Sequence, residues 1–313
     1  MNKTASAVIL EPLDITSSMI AAGTTVPVVD SSVGESAYDP MFQYTGTESK
    51  VEHEGSLYSS TAPSKGVAPD TDTTKWRRSG PSNRMAPFDS NSTTKAVGTG
   101  SITYEIKPTF CNGIRLDGVE CESLTVEFFE NESATTPILS WTSDMYDQAM
   151  GLFEYLFMPL RGISIWAKTD LPLYPDPLIK ITLNSQPGKR VAIGSILVGF
   201  WQSLLGGGDF GGVEYGAQAE VKNYSTIKDN GDGTETVVVR ASATNISASV
   251  VIEAEQANAA HELIKRIGSK PVAFIASSLP RYDYLNTFGR ISSTVTAEGW
   301  RHARLSISVR GYL

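Results

Sequence analysis

The middle of the chain alternates apolar and polar residues with a period of two. In Leu124-Thr125-Val126-Glu127-Phe128 the apolar residues share one face and the polar residues share the other, as a half-buried β-strand requires. Signals of this kind, each bounded by Gly, Pro or Asn, predict strands at residues 101–106, 124–129, 163–166, 179–183 and 191–200. Short strands at regular intervals favour a β-sandwich or jelly roll. Residues 146–157 are rich in aromatics and fit either a helix or a buried strand.

After residue 214 the pattern changes to strands around one helix. The segment 254–267 has apolar residues at helical spacing, with Gly268 placed to end the helix. Asn and Gly residues at 229–233 predict a hairpin turn before the strand that begins at Val237. Further strands are predicted at 272–276 and 304–310. Residues 214–313 are therefore predicted to form an α+β domain.

The first part of the chain differs from both of these regions. Residues 1–37 are rich in Ser and Thr, and their apolar stretches at 8–10 and 26–29 could each dock as an edge strand. We expect such an arm to find its partner on another subunit. Residues 38–89 contain aromatics between small and polar residues, with several turn signals.

The chain is thus predicted to be mainly β, and its 313 residues are enough for about two domains. The expected order is an extended arm (1–37), a small aromatic module (38–89), a β-sandwich or jelly-roll-like domain (90–206), a Gly-rich linker (207–213) and an α+β domain (214–313).

The charge of the chain is acidic and uneven. The formal net charge of −8 argues against binding to duplex nucleic acid, which needs a basic surface. Residues 1–213 carry 15 Lys and Arg against 24 Asp and Glu, and residues 214–313 carry 11 against 10, which sums to the 26 and 34 of the chain. The last hundred residues are nearly neutral, which suits a surface buried between subunits, because interface cores are depleted in charge.

The sequence contains only weak matches to motifs for nucleotide binding and metal binding. Residues 206–211 fit G-x-G-x-x-G, but no helix is predicted after them, so we interpret them as linker. The acidic loop at 229–235 has Gly231 and Arg240 at the third and twelfth positions, where a calcium-binding loop has oxygen ligands. Cys111 and Cys121, with three histidines in the chain, match no zinc pattern and are predicted to be two thiols on neighbouring strands.

We accordingly expect no catalytic residue, no metal and no cofactor, although a triad is recognised by geometry rather than by spacing. No signal peptide is predicted, and the longest apolar stretch, residues 191–205, is interrupted and too short to span a bilayer.

The aromatic residues of the module allow two interpretations. Tyr38, Tyr44, Tyr58 and Trp76 lie in a segment with little else to build a core, so they can pack on one another. Alternatively, some of them lie on the surface and stack against sugar rings. Under that second interpretation Tyr44, Tyr58 and Trp76 are the candidate glycan-binding residues.

The module also resembles a known family. Its residues AYDPMFQYTGTESKVEHEGSLYSST, APDTDTTKW and GPSNRMAPFDS resemble small chitin-binding-type carbohydrate modules found within structural proteins of tailed bacteriophages. The positions that match the pattern are Tyr44, Gly46, Val51, Gly55, Tyr58, Pro69 and Trp76. The run Gly80–Asp89 is similar to one that, in such phage proteins, links the module to a β-sandwich. Short stretches at 223–231, 239–240 and 270–275, and the terminal strand ending in Gly311, are similar to the same family.

The resemblance implies a virion component at the tail tip or baseplate, assembled in the cytoplasm of a host bacterium. It implies a ring of three or six copies that also binds other tail proteins, because tails impose such axes on their parts. The arm and residues 214–313 are expected to make the contacts between subunits, while residues 38–89 face outward. The alternative function is a glycan-binding protein that attaches to a host surface polysaccharide.

Overall fold

The fold is mainly β, as predicted, with 49% of residues in strands and 10% in helices. The computed structural model describes residues 7–89, 94–147, 153, 157, 161–204, 213–229, 234–238, 242–268, 270–277 and 280–312.

The described strands and helices follow one another along the chain. The strands are β1 (Val8–Pro12), β2 (Ser36–Ala37), β3 (Val51–His53), β4 (Ser56–Ser60), β5 (Trp76–Pro81), β6 (Ala96–Thr99), β7 (Ser101–Ile106), β8 (Gly113–Asp117), β9 (Ser123–Phe129), β10 (Leu139–Asp144), β11 (Tyr146–Asp147), β12 (Arg161–Gly162), β13 (Ile165–Lys168), β14 (Leu178–Asn184), β15 (Arg190–Ile193), β16 (Ser195–Ser203), β17 (Gln218–Asn223), β18 (Thr226–Asp229), β19 (Glu235–Val238), β20 (Ser242–Glu253), β21 (Pro271–Ile275), β22 (Asn286–Ala297) and β23 (His302–Gly311). The α-helix α1 spans Ala257–Ile267, Phe153 and Phe157 are also α-helical, and short 3-10 helices span Ser17–Met19, Ser31–Val33, Ala86–Phe88, Ala254–Gln256 and Pro280–Leu285.

The chain divides into two compact units. The middle unit comprises residues 13–198, and the terminal unit comprises residues 1–12 together with 199–313. The sequence predicted boundaries at residues 37, 89 and 206. The observed division differs, because β1 lies in the same unit as residues 199–313. The predicted linker at 207–213 lies outside the described residues, apart from Val213.

The middle unit contains a four-stranded antiparallel sheet in the order β10-β9-β14-β7. Its inward-facing residues, such as Val126 and Ile181, share one core with Leu116 of β8 and Trp166 of β13. Strands from more than one sheet therefore fill the same core, as expected for a sandwich. The module at residues 38–89 adds a second four-stranded sheet, β2-β3-β4-β5.

Part of the arm bonds to strand β7 of its own chain. The N–H of Ala21 donates to the carbonyl of Glu105 at 2.8 Å, and that of Thr25 donates to the carbonyl of Thr103 at 2.9 Å. The hydroxyl of Thr24 accepts from the Glu105 N–H. These contacts cover the edge of β7. The edge strand predicted at 26–29 is wrong, because these residues form no strand.

The other strand, predicted at residues 8–10, is confirmed as β1, but its predicted edge position is wrong, because β1 is paired on both sides within the terminal unit. Ile9 lies opposite Gln202 of β16 and Phe274 of β21, antiparallel to both. Ile9 and Leu10 are fully buried. From β21 the sheet continues as β22-β23-β20-β17.

The predicted helix covers the buried face of this sheet. Leu263, Ile264 and Ile267 of α1 share a core with residues of β20 and β23, including Val250. The segment begins with a 3-10 turn before α1, and the helix ends at Ile267 as predicted. Gly268 follows it with φ −52°, a right-handed conformation rather than the left-handed one common after helices.

Three other predictions have mixed outcomes. The strand predicted at 191–200 is two strands, because Gly194 interrupts it and donates its N–H to the backbone carbonyl of Asp117 at 3.1 Å. The hairpin is confirmed by its flanks, since β18 and β19 pair antiparallel, while residues 230–233 lie outside the described part. Within 146–157, residues 146–147 form β11 and Phe153 and Phe157 are helical. The other residues of that run lie outside the description.

Candidate functional site

The structure brings the three candidate glycan-binding residues together in the module. Tyr58 lies opposite Val51 across β3 and β4, and Trp76 begins β5 opposite Ser60. Tyr44 forms a bridge to Ser64. As a result Tyr44, Trp76 and Val51 form a buried cluster, with Tyr38 and Tyr58 packed against it.

The rings of this cluster contact one another closely. Tyr38 stacks on Tyr44 with ring centroids 5.6 Å apart, and Tyr44 meets Trp76 edge-on at 4.8 Å. Trp76 is 2% exposed and Tyr44 is 4% exposed. A sugar needs an open aromatic face, which neither ring has. Of the two interpretations, the geometry therefore favours the core for Tyr44 and Trp76, and only Tyr58 is half-buried.

Several polar atoms of the module lack a partner among the described residues. They are Trp76 Nε1, the Tyr38 hydroxyl, Ser64 Oγ and Ser82 Oγ, all buried. Burial raises the pKa of the Tyr38 hydroxyl. By contrast, the Tyr44 hydroxyl accepts the N–H of Asp39 at 2.9 Å. Ring packing rather than hydrogen bonding therefore holds Trp76 in place.

A carboxylate stabilises the turn that follows Tyr44. Glu48 accepts the Thr45 hydroxyl at 2.7 Å, the Thr45 N–H at 2.8 Å and the Gly46 N–H at 3.0 Å. The hydroxyl and then the backbone amides of this turn lower the pKa of Glu48 to about 2. Gly46 has φ +97°, which favours glycine.

The run Gly80–Asp89 forms a joint between the module, the arm and the sandwich strands. Asn83 is buried, and its Nδ2 donates to the carbonyls of Pro27 at 2.9 Å and Val97 at 3.0 Å. Its Oδ1 accepts the Val97 N–H at 2.8 Å. Because all three bonds are to backbone groups, Asn83 fixes the arm against β6.

The next residue extends this joint. Arg84 Nε donates to the Val26 carbonyl, and the Tyr104 hydroxyl donates to the Arg84 carbonyl, both at 2.9 Å. Phe88 meets the Tyr104 ring edge-on at 5.8 Å. Tyr104 is fully buried, and this burial raises the pKa of its hydroxyl.

A cleft of about 840 Å³ adjoins the joint. Some of its charged side chains bond to other groups of the chain. Lys95 forms an ion pair with Glu120 at 2.5 Å, and Lys50 donates to the Val33 carbonyl at 2.8 Å. Burial raises the pKa of Glu35, which also lines the cleft.

The terminal unit has a groove of about 640 Å³ on the outer face of its sheet. The register aligns hydroxyl residues across three strands in two rows, which are Ser247, Ser308 and Ser292, and then Ser249, Ser306 and Thr294. The side chain of Tyr215, at the rim, is fully exposed. Such hydroxyls can donate and accept hydrogen bonds but carry no charge.

The described part of the chain contains no group of three or more His, Cys, Asp or Glu residues that could hold a metal ion. Cys111 is buried and Cys121 partly so, and burial raises the pKa of each thiol to about 12. Neither lies on a strand, so that part of the prediction is wrong.

Comparison with protein-family models, curated proteins and solved structures finds no match to this chain. Across the described ranges, no helix is both long and apolar enough to cross a membrane.

Proposed function

We propose that this chain is a structural subunit of a tailed-phage virion, at the tail tip or baseplate. The observation that carries the proposal is the joint around Asn83. The run Gly80–Asp89 is the most specific part of the resemblance to phage structural proteins, and its side chains bond to backbone groups of the arm and of β6. This is the linking role that the resemblance implies for that run.

The glycan-binding alternative loses its main support in the module. Stacking on a sugar needs exposed aromatic faces, and Tyr44 and Trp76 are in the core. The module then serves as a folded spacer, which we propose faces outward. We propose that the contacts between subunits are made by residues 214–313 and by the arm.

The proposed assembly is a ring of three or six copies that also binds other tail proteins. The small net charge of residues 214–313, with 11 Lys and Arg against 10 Asp and Glu, is compatible with it, because copies of this segment do not repel one another through a large net charge. Under this proposal the chain is located in the virion after assembly in the host cytoplasm.

The proposal is tested with tailed particles purified from a culture that expresses the gene. Immunogold labelling with antibodies against this chain should mark one end of the tail, and quantitative mass spectrometry should give a multiple of three copies per particle. Protein that is present in the cells but missing from intact particles contradicts the proposal.

A complementation experiment tests the joint itself. A strain that lacks the gene should release particles with incomplete tails, and the wild-type gene should restore them. Asn83→Ala should fail to restore them, because it removes three bonds to backbone groups of a buried side chain. Asn131→Ala is the matched control, since the Asn131 side chain bonds only the neighbouring Ser133 in an exposed turn.

A further inference from the structure

The strand β17 ends the sheet of the terminal unit. It pairs with β20 along one side, from Gln218 opposite Ser247 to Asn223 opposite Ser242. Among the described strands none pairs with its other side. An edge strand of this kind presents unpaired N–H and C=O groups, and these can pair with a strand of another chain.

One apolar residue of β17 is left in solvent. Ala219 lies on the face that packs against the core of the unit, and Val221 continues the same face two positions further on. Val221 is nevertheless 69% exposed. A single exposed valine is ordinary on a protein surface, but this one lies in the middle of a free edge.

The charges on either side of Val221 have opposite signs. Glu220 and Lys222 are both exposed and share the face opposite to Val221. Suppose that a second copy of β17 pairs antiparallel with Val221 opposite itself. Glu220 of each copy then lies opposite Lys222 of the other, so one two-fold axis creates two opposite-charge pairs and one Val–Val pair.

Neighbouring registers lack this complementarity. Centring the axis on Glu220 places two carboxylates opposite each other, and centring it on Lys222 places two ammonium groups opposite each other. An axis between Glu220 and Val221 places a charge opposite a valine. Like charges directly opposite are destabilising in a sheet, so the register centred on Val221 is favoured.

We infer that two copies of this chain join through the free edges of β17, antiparallel, with Val221 at the two-fold axis. The inference goes beyond the proposed function and does not rest on it. A cyclic ring closes through two different surfaces of each subunit, whereas this contact uses one surface twice. In a virion it would join copies from two rings, and in solution it gives a dimer.

The first test reverses the charges in the full-length chain. Analytical ultracentrifugation up to about 1 mM should show a weak dimer of the wild-type protein, because the contact is small. E220K and K222E should each raise its dissociation constant about tenfold or more, because both create two like-charge pairs. E262K and K265E on α1 are the controls, because they make the same changes in net charge as E220K and K222E, respectively, at exposed sites away from β17.

Restoring opposite charges distinguishes the proposed register from a general charge effect. The double variant E220K/K222E should dimerise like the wild type, since each pair is restored with its signs exchanged. An equimolar mixture of E220K and K222E should form heterodimers, although each variant alone is monomeric. Circular dichroism of every variant should match the wild type, because all the altered side chains are exposed.

A cross-link tests the position of the axis. Directly opposite residues of antiparallel strands have Cα atoms about 4.5–5.5 Å apart, which a disulfide can bridge. V221C should therefore give a covalent dimer on mild oxidation. N223C is the matched control, because Asn223 lies opposite Ala219 and about 13 Å from its own counterpart. The native thiols should react slowly, because burial raises their pKa.

Three results overturn the inference. One is a wild-type protein that stays monomeric up to about 1 mM. Another is a dimer whose affinity is unaffected by E220K and K222E, or is not restored in the double variant. The third is equal cross-linking of V221C and N223C. Each result leaves the proposal of a virion subunit standing, since that proposal depends on the particle experiments.

Discussion

Arg115 and Asp117 form a buried ion pair although they are only two positions apart on β8. The Nε of Arg115 lies 2.8 Å from Oδ2 of Asp117, and its Nη2 lies 2.8 Å from Oδ1. The side chains are 2% and 10% exposed. Residues two apart on a strand share a face, so both charges lie on the face of β8 opposite to Ile114 and Leu116, and that face is buried as well.

Removing one partner of this pair should be strongly destabilising. Asp117→Asn leaves the guanidinium charge buried without a counter-charge, and we expect a loss of about 3–5 kcal/mol in the free energy of unfolding. Urea denaturation followed by fluorescence measures it. The double variant Arg115→Met/Asp117→Leu should be clearly more stable than Asp117→Asn, because apolar residues replace both charges. A double variant as unstable as the single one would contradict this explanation.

Gly199 is predicted to be required for the pairing of β1. A Cβ at this position would overlap the carbonyl oxygen of Glu11 on the adjacent strand. Gly199→Ala should force the two strands apart and lower the free energy of unfolding by about 1–3 kcal/mol. Gly299→Ala is the control, because its Cβ would meet no atom and its φ is not positive. Equal effects of the two changes in thermal unfolding would show that β1 does not approach Gly199 closely.

Trp76 should stabilise the fold through the buried volume of its ring. Trp76→Ala removes a buried ring that meets Tyr38 and Tyr44 edge-on, and we expect a loss of about 3–5 kcal/mol in the free energy of unfolding. Trp76→Phe should be less destabilising, because Nε1 has no hydrogen-bond partner to lose among the described residues. Chemical denaturation of both variants tests the order. If Trp76→Ala instead left stability unchanged and abolished binding to chitin, the ring would be a sugar platform.

Strands with regular alternation were predictable from the sequence. Ser101–Ile106 has the bounds expected for it, and the strand expected at 124–129 begins one residue earlier. The β8 strand was not predicted, although Ile114 and Leu116 alternate with Arg115 and Asp117 as in a half-buried strand. Its charged face is buried as well, and the local alternation gives no signal for that burial.

The local sequence does not show which residues the arm contacts or how the aromatic residues of the module pack. Val8–Pro12 has the pattern of any short strand, and only the tertiary fold shows that it pairs with residues some 190 and 260 positions away. The choice between core and sugar platform for Trp76 depends on whether Tyr38 and Tyr44 cover it. Ring packing of that kind has no periodic signature in the sequence.

The last prediction concerns acid and the turn around Glu48. The Thr45 hydroxyl and the backbone amides lower the pKa of Glu48 from 4.5 to about 2. A group whose pKa is lowered by folding stabilises the fold when it is ionised. Its contribution is present above about pH 4.5, is lost as the pH falls towards 2, and is absent below that.

NMR titration of the Glu48 carboxyl should give the low pKa directly. Thr45→Val should raise this pKa without restoring 4.5, because the N–H bonds remain. Glu48→Gln should be less stable than the wild type at pH 7 and equally stable below pH 2. A difference in stability that does not change with pH would show that the side chain acts through its shape and not through its charge.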